Sequence, residues 1–184
     1  MGSEMCIRDR ISIQEGNVSG LTWSVRNAIG ERPLFANFGA VNLPQLDAIQ
    51  DLGRILDSIE ADALILHLNP MQEVFQSSGD TDWRSVIDDI AQVCAWSPVP
   101  VVVKEVGFGL DVRSAKALVA SGVDVLDVAG MGGTRFADIE IALNPKIHET
   151  LSSESVFDGW GYTTIESLNM IKSALPQTTC WASG

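Results

Sequence analysis

The chain has 184 residues, 46% of them hydrophobic, which is enough for one domain with a sizeable core. Its net charge is −12, from 12 basic and 24 acidic residues, and this excess argues against nucleic acid as a partner. It does not exclude a phosphorylated ligand, which needs only local positive charge or a metal ion. No apolar run approaches the length of a membrane span and no apolar secretory segment begins the sequence, so we expect a cytoplasmic protein with no membrane partner.

The first ten residues are treated separately from the rest. Residues 1–10 have no apolar periodicity and resemble a translated sequencing adapter, so we expect residues 11–184 to form one incomplete domain. The two cysteines outside this segment, Cys94 and Cys180, have no His or Cys at ligand spacing. They predict neither a disulfide nor a zinc site.

Strand-like and helix-like segments alternate along the rest of the chain. Apolar runs predict five strands, at 33–40, 63–69, 100–107, 123–129 and from 178 onward. Capping residues and helical spacing predict a weak helix at 18–29 and further helices from about Pro44, Asp82, Asp111, Arg135 and Thr163.

This order of elements predicts an α/β fold. Repeated β-α units form a parallel sheet with right-handed crossovers. The repeat is typical of a β/α barrel, which needs eight strands, so the sequence predicts a partial (β/α)8 TIM barrel with about five of the eight units. A doubly wound open sheet is the structural alternative.

The stretch 63–73 begins as a buried strand and ends in polar residues. Pro70 cannot donate to a strand ladder and ends the strand, which places residues 71–73 in the loop beyond it. Active sites of parallel α/β enzymes lie at this end of the strands. A divalent metal and an anionic ligand can bind together to the side chains of His67, Asn69, Gln72 and Glu73. A strand with a polar last turn is the alternative.

Strand parity gives a second indication of a site. Each of four successive strands carries a polar residue near the C-terminal end of one face; these residues are Asn37, His67, Lys104 and Asp127. The opposite faces are apolar at 34–38, 64–68 and 101–103. A single inward polar residue is usually a satisfied core group. Four of them predict a site inside the mouth of a barrel.

Two glycine-containing segments follow predicted strands. Residues 130–134 precede a predicted helix, and glycines there let backbone N–H groups approach a phosphate. Residues 182–184 form a second candidate turn of this kind, ending at Gly184. Glycines also occur in ordinary turns, so neither segment is specific by itself.

Three motifs together resemble one enzyme family, at 67–73 (HLNPMQE), 103–109 (VKEVGFG) and 127–134 (DVAGMGGT). Residues 36–40 and 158–163 fit the same pattern, so the resemblance covers roughly residues 17–184. The family is the type 2 isopentenyl-diphosphate isomerases, FMN-dependent β/α barrels that interconvert isopentenyl and dimethylallyl diphosphate. Reduced flavin is the acid and base in these enzymes, Mg²⁺ bridges to the diphosphate, and NADPH serves only to reduce the flavin.

The resemblance implies a role for each matching residue. Gln72 and His67 are the expected catalytic residues, and the isoprenoid diphosphate is expected to contact His67, Asn69 and Gln72. Glu73 is the expected Mg²⁺ ligand. Four further residues are expected to contact FMN, namely Asn37, Lys104, Thr134 and Gly184. The family also implies a homo-oligomer at full length.

Two other functions remain open on the sequence. Another FMN barrel, such as a hydroxy-acid oxidase or a nucleotide-pathway dehydrogenase, would need a catalytic His or Cys late in the chain. His148 is in a polar segment that is more typical of a surface. A non-catalytic binding domain would bind neither flavin nor metal.

Overall fold

A computed structural model of the chain describes residues 26–45, 49–76, 78–133, 136–143, 157 and 159–184. Within these ranges the strands are β1 Phe35–Gly39, β2 Ala63–His67, β3 Val101–Lys104, β4 Val125–Asp127 and β5 Thr179–Trp181. The α-helices are α1 Arg26–Ile29, α2 Ile49–Ile59, α3 Pro70–Phe75, α4 Val86–Trp96, α5 Val112–Ala120, α6 Phe136–Leu143 and α7 Thr164–Ala174. No helix in these ranges is long and apolar enough to cross a membrane.

The five strands form one parallel sheet in the order β1-β2-β3-β4-β5. The α/β class and the parallel sheet predicted from the sequence are therefore confirmed. Each strand lies beside the next one along the chain, with helices in the crossovers. This order has no reversal, whereas a doubly wound sheet reverses its strand order at a switch point.

Helices α2, α4, α5 and α7 pack on one face of the sheet and form its main core. Fully buried strand residues on that face are Leu64, Leu66, Val101, Val103 and Leu126, and helix residues packed on them are Leu52, Ile90, Leu118 and Ile171. The apolar faces predicted by strand parity are thus the faces under the helices. The opposite face carries the polar residues and is left for a site.

Two helix starts form as their sequences predict. Asp111 accepts hydrogen bonds from the backbone N–H groups of Arg113 and Ser114 and caps α5. Thr163 and Glu166 form a reciprocal capping box at α7. Side-chain chemistry within one turn determines both positions.

Three predicted boundaries are wrong. Residues 71–73 are not in a loop, since Pro70 begins α3 directly after the strand, at the first helical position that favours proline. Pro44 lies inside a 3₁₀ segment, Ala40–Gln45, and not at the start of an α-helix. The N-cap residue of α4 is Ser85 and not Asp82, whose carboxylate accepts from Arg84 N in the turn before the helix.

Candidate active site

The polar residues predicted to share a face form one row across the sheet. In the strand register, His67 of β2 pairs with Lys104 of β3, and Lys104 pairs with Asp127 of β4. On β1, Gly39 pairs with His67, and Asn37 lies two residues before Gly39. The Oδ1 atom of Asn37 is 3.3 Å from His67 Nδ1. The row lies at the carboxyl ends of the strands, where parallel α/β proteins bind ligands.

Asn69 joins Gln72 and Glu73 at the start of α3. Its side chain is buried, and Nδ2 donates to Glu73 Oε1 at 2.7 Å and to Gln72 Oε1 at 3.3 Å. A carboxylate only accepts hydrogen bonds, so the Nδ2 donor of the Asn69 amide must be the side that faces Glu73. Asn69 Oδ1 is then buried without a hydrogen-bond partner among the described residues. Such an acceptor costs about 1–3 kcal/mol unless a donor reaches it.

Glu73 is held from two sides. Besides the bond from Asn69, its Oε2 accepts from the backbone N–H of Asp80 at 2.8 Å. The described part of the chain contains no group of three or more His, Cys, Asp or Glu residues that could hold a metal. Mg²⁺ is commonly held by one or two carboxylates together with substrate phosphates and waters, an arrangement that does not need such a cluster.

Glu140 of α6 is a residue of this site that the sequence did not indicate. Its Oε1 accepts from Gln72 Nε2 at 2.9 Å and from Gln76 Nε2 at 3.0 Å. Gln72 thus links Asn69 on one side to Glu140 on the other. The contact spans 68 positions in sequence, and a glutamate in a helix gives no local signal of it.

Lys104 lies on the polar face without a carboxylate partner. Its Nζ donates to the backbone carbonyl of Glu105 at 3.0 Å, and it belongs to none of the ion pairs among the described residues. Burial lowers the pKa of Lys104, while the carboxylates of Asp127 and Glu105 oppose that shift from a distance. Neither of these two carboxylates forms an ion pair with Lys104.

Glu105 orders the turn that follows β3. It is buried, and its Oε2 accepts from the backbone N–H groups of Val106 and Phe108 at 2.6 and 2.7 Å. Burial raises the pKa of Glu105 to about 7, against the effect of these hydrogen bonds and of Lys104. A carboxyl group that titrates near neutral pH therefore lies directly behind Lys104.

His67 is neutral at physiological pH. Burial, and then the positive charge of Lys104, lower its pKa to about 4. Among the described residues no hydrogen bond joins His67 to Asn69, Gln72 or Glu73. The residues predicted to cluster at 67–73 therefore form two separate groups. His67 is bonded to Asn37 of β1, whereas Gln72, with Asn69 and Glu73, is bonded to Glu140 of α6.

The two predicted glycine turns lie against each other. A Cβ atom added to Gly132 would overlap the backbone of Gly184, and one added to Gly184 would lie 2.5 Å from the carbonyl oxygen of Gly130. Gly184 also has a φ of +137°, which residues with a side chain rarely adopt. Only glycine permits this approach, and next to it a Cβ added to Gly133 would meet nothing within 4 Å. Thr134 lies outside the described residues, as does His148.

Three curated relatives of this chain share one name. Isopentenyl-diphosphate delta-isomerase of Stutzerimonas stutzeri is 41% identical over 175 residues, covering 95% of this chain and 50% of that protein. The proteins of the same name from Cronobacter sakazakii and Rickettsia prowazekii are 42% and 41% identical, over 95% and 89% of this chain and 50% and 47% of theirs. No protein-family model matches the chain.

The chain spans about half the length of the curated relatives it matches. Across that half the identity is about 40%, which makes the chain a homologue of proteins named isopentenyl-diphosphate delta-isomerase.

Proposed function

We propose that this chain is part of a type 2, FMN-dependent isopentenyl-diphosphate delta-isomerase. The homologues named above support an isomerase. The observation that carries the flavin-dependent type is the contact between the glycine turns after β4 and β5, beside a row of polar residues ending in Lys104 and Asp127. That combination offers a phosphate cradle and a cation on one edge of a parallel sheet.

The fold we propose is five units of a (β/α)8 barrel. The strand order follows the chain without reversal, as it does around a barrel. In such barrels a phosphate often binds between the loops after two neighbouring strands. β4 and β5 are neighbouring strands, and their loops contact each other.

The residues present fit FMN. The glycines at 130, 132 and 184 let the two turns meet backbone to backbone, and beside them a Cβ added to Gly133 would meet nothing within 4 Å. Backbone N–H groups on such turns favour a phosphate. Lys104 lies on the same face without an ion-pair partner among the described residues. In this proposal it faces the flavin ring, where a cation stabilises the anionic reduced form. Asn37 and Thr134 are the other proposed flavin contacts.

The residues of α3 fit a magnesium diphosphate. Glu73 offers a carboxylate whose two oxygens are oriented by Asn69 and Asp80. In this proposal Glu73 would hold Mg²⁺, which would supply positive charge to the substrate diphosphate, and His67 would contact the diphosphate. Asn69 Oδ1, buried without a partner among the described residues, would accept from a water in the cation's hydration shell.

The isomerisation adds a proton at one end of the allylic unit and removes one at the other. When bound, reduced FMN supplies the proton-exchanging group for the alkene. Gln72 orients the reacting carbons, and its amide does not ionise at neutral pH. Glu140 accepts from Gln72 Nε2 at 2.9 Å and so holds the Gln72 amide in one orientation.

The test is made on the full-length protein that contains this chain. Its absorption spectrum should show bound flavin, and after reduction with NADPH it should convert isopentenyl to dimethylallyl diphosphate only when Mg²⁺ is present. A protein that contains flavin but oxidises a hydroxy acid, with no isomerase turnover, would contradict the proposal. So would isomerase turnover by a preparation free of flavin.

A further inference from the structure

Asp127 connects the end of β4 to the turn after β5. Its Oδ1 accepts from the backbone N–H of Ser183 at 3.1 Å, and the Ser183 hydroxyl lies 2.9 and 2.8 Å from the two carboxylate oxygens. Oδ1 also accepts from the backbone N–H of Ala129 at 3.3 Å. Asp127 is buried and Ser183 is exposed, so these bonds are partly shielded from water. Hydrogen bonds to a charged group are among the stronger ones in proteins.

The backbone beside Asp127 holds a third segment. The carbonyl of Asp127 accepts from Glu105 N, and the carbonyl of Ala129 accepts from Gly107 N and Gly109 N. Ala129 adopts a φ of +34°, which is uncommon for a residue with a side chain. A strained residue persists only where its surroundings over-determine it. The chain at 127–129 therefore positions the turns that follow β3 and β5.

The position of Ser183 determines the shape of the proposed phosphate cradle, which consists of the turns at 130–133 and 182–184. Ser183 immediately precedes Gly184, whose backbone lies against Gly130 and Gly132. The carbonyl of Ser183 also accepts from the Thr164 hydroxyl at 3.0 Å, which ties the turn to the start of α7. A shift of Ser183 by a few tenths of an ångström would open or close the gap between the two glycine turns.

The charge of Asp127 by itself would repel a phosphate. Its oxygens, however, are engaged by two N–H groups and a hydroxyl, which spreads that charge over the donors. The pairing partner of Asp127 on β3 is Lys104, a cation on the same face. A buried carboxylate next to an anion site is consistent with a role in holding the backbone.

We propose that Asp127 is the positioning residue that builds the phosphate cradle, by holding the 183–184 turn against the 130–133 turn. Asp127 does not touch the cofactor in this proposal and acts through Ser183. The inference rests on the proposed function for the identity of the ligand, and it assigns Asp127 to the phosphate end of FMN.

The first experiment compares FMN with riboflavin, which lacks the phosphate, by flavin-fluorescence titration of the full-length protein. D127A removes all the carboxylate bonds, and we expect it to weaken FMN binding about tenfold or more while riboflavin affinity stays within about twofold. D127N keeps an acceptor at Oδ1 and should recover most of the affinity. S183A, which retains the backbone bond, should lie between wild type and D127A.

Asp124 gives the matched control. It lies just before β4, at the opposite end of the strand, and its carboxylate accepts from Val101 N at 2.8 Å. D124A removes the same charge and a comparable bond, so it should lower the melting temperature without changing the ratio of FMN to riboflavin affinity. An equal loss of FMN and riboflavin affinity in S183A and D127A, or unchanged FMN affinity, would overturn the inference.

Hydrogen exchange separates this inference from the proposed function. The Ser183 amide donates to Asp127 whether or not flavin binds, so segment 181–184 should exchange faster in D127A and S183A than in wild type. If wild type bound no FMN, the proposed function would fail, and exchange would still report on the positioning role. Unchanged exchange of this segment in both variants would overturn that role.

Discussion

Phe35 and Trp181 stack on each other, although they belong to the two edge strands of the sheet. Their ring centroids are 5.6 Å apart and the ring planes differ by 27°. Four strand spacings separate β1 from β5, about 19 Å in a flat sheet. The sheet is therefore strongly curled, so that its edges approach across the polar face. In an eight-stranded barrel, strands four apart lie opposite each other and their inward side chains meet.

The stacked pair should be measurable as a coupling energy. We expect F35A and W181A in the full-length protein to couple by about 0.5–1.5 kcal/mol in the free energy of unfolding, which is typical of aromatic pairs. Urea denaturation of wild type, both single variants and the double variant gives this value. Trp96 has the same 37% exposure as Trp181 but contacts Gly53 on another element. The Phe35–Trp96 cycle should therefore give no coupling, and an equal value in both cycles would refute the contact.

Elements set by local chemistry could be predicted from the sequence. Apolar runs gave all five strands in the right order, and Asp111 and Thr163 marked two helix starts because each side chain bonds to N–H groups within its own turn. Strand parity predicted the row of His67, Lys104 and Asp127, because side-chain direction on a strand depends only on the count of residues.

Features set by distant contacts could not be predicted in this way. Helix α3 has only six residues, too few to show a helical period. The bond from Gln72 to Glu140 depends on how α3 and α6 pack, and neither sequence segment contains that information. The buried carboxylate of Glu105 serves two N–H groups of a turn whose shape is set after β3 pairs with its neighbours.

Lys104 should affect flavin binding more than stability. Its ammonium has no carboxylate partner among the described residues, so a bound anion is the proposed partner. We expect Lys104→Met to weaken FMN affinity about tenfold or more in the full-length protein, as measured by fluorescence titration. Lys116 is exposed on α5, and Lys116→Met is the charge-matched control. Unchanged flavin affinity with a lower melting temperature would show that Lys104 has a structural role only.

Glu73 should affect metal dependence and not flavin content. Glu73→Gln removes the charge and one of two acceptor oxygens, so we expect most of the activity to be lost while FMN stays bound. Raising the Mg²⁺ concentration should restore part of the activity. Asp57→Asn, at an exposed position of α2, removes the same charge and should change neither quantity. A Glu73 variant that loses flavin but keeps its Mg²⁺ dependence would contradict the assignment.

Glu105 and His67 should give opposite pH dependences of stability. The folded-state pKa of Glu105, about 7, exceeds its usual 4.5, so the folded chain binds more protons between these values. The contribution of Glu105 to the free energy of unfolding is greatest below pH 4.5. This contribution falls by up to about 3 kcal/mol as the pH rises through 7. His67, with a pKa lowered from 6.5 to about 4, contributes above pH 6.5 and loses that contribution as the pH falls toward 4.

The two effects offset each other in wild type and separate in variants. A Gln side chain at 105 can reproduce the protonated form of Glu105, because one oxygen accepts both N–H bonds. We expect Glu105→Gln to gain more stability over wild type at pH 8 than at pH 5, by up to about 3 kcal/mol in urea denaturation. In the His67→Asn variant the pH dependence that comes from Glu105 is no longer offset by His67. The free energy of unfolding of this variant should therefore fall between pH 4.5 and 7. Equal differences at both pH values would contradict this account.

The 184-residue chain expressed by itself should be inactive and should aggregate. In the described part of the chain, β1 and β5 each pair with one neighbour only. A barrel removes such edges by closing, and open edges with unpaired N–H and C=O groups promote association between chains. Phe35 and Trp181 are 40% and 37% exposed on these edge strands, which adds apolar surface to them.

Size-exclusion chromatography and flavin content of residues 11–184 test this expectation. We expect soluble aggregates or inclusion bodies with little FMN, because the remaining strands of the proposed barrel would close both edges and add flavin contacts. The matched control is the full-length protein prepared in the same way, which should elute as a defined species with flavin bound. A monomeric 11–184 chain that binds FMN and isomerises isopentenyl diphosphate would contradict the prediction. It would mean that five curled strands, held across their open side by contacts such as Phe35–Trp181, suffice to build the site.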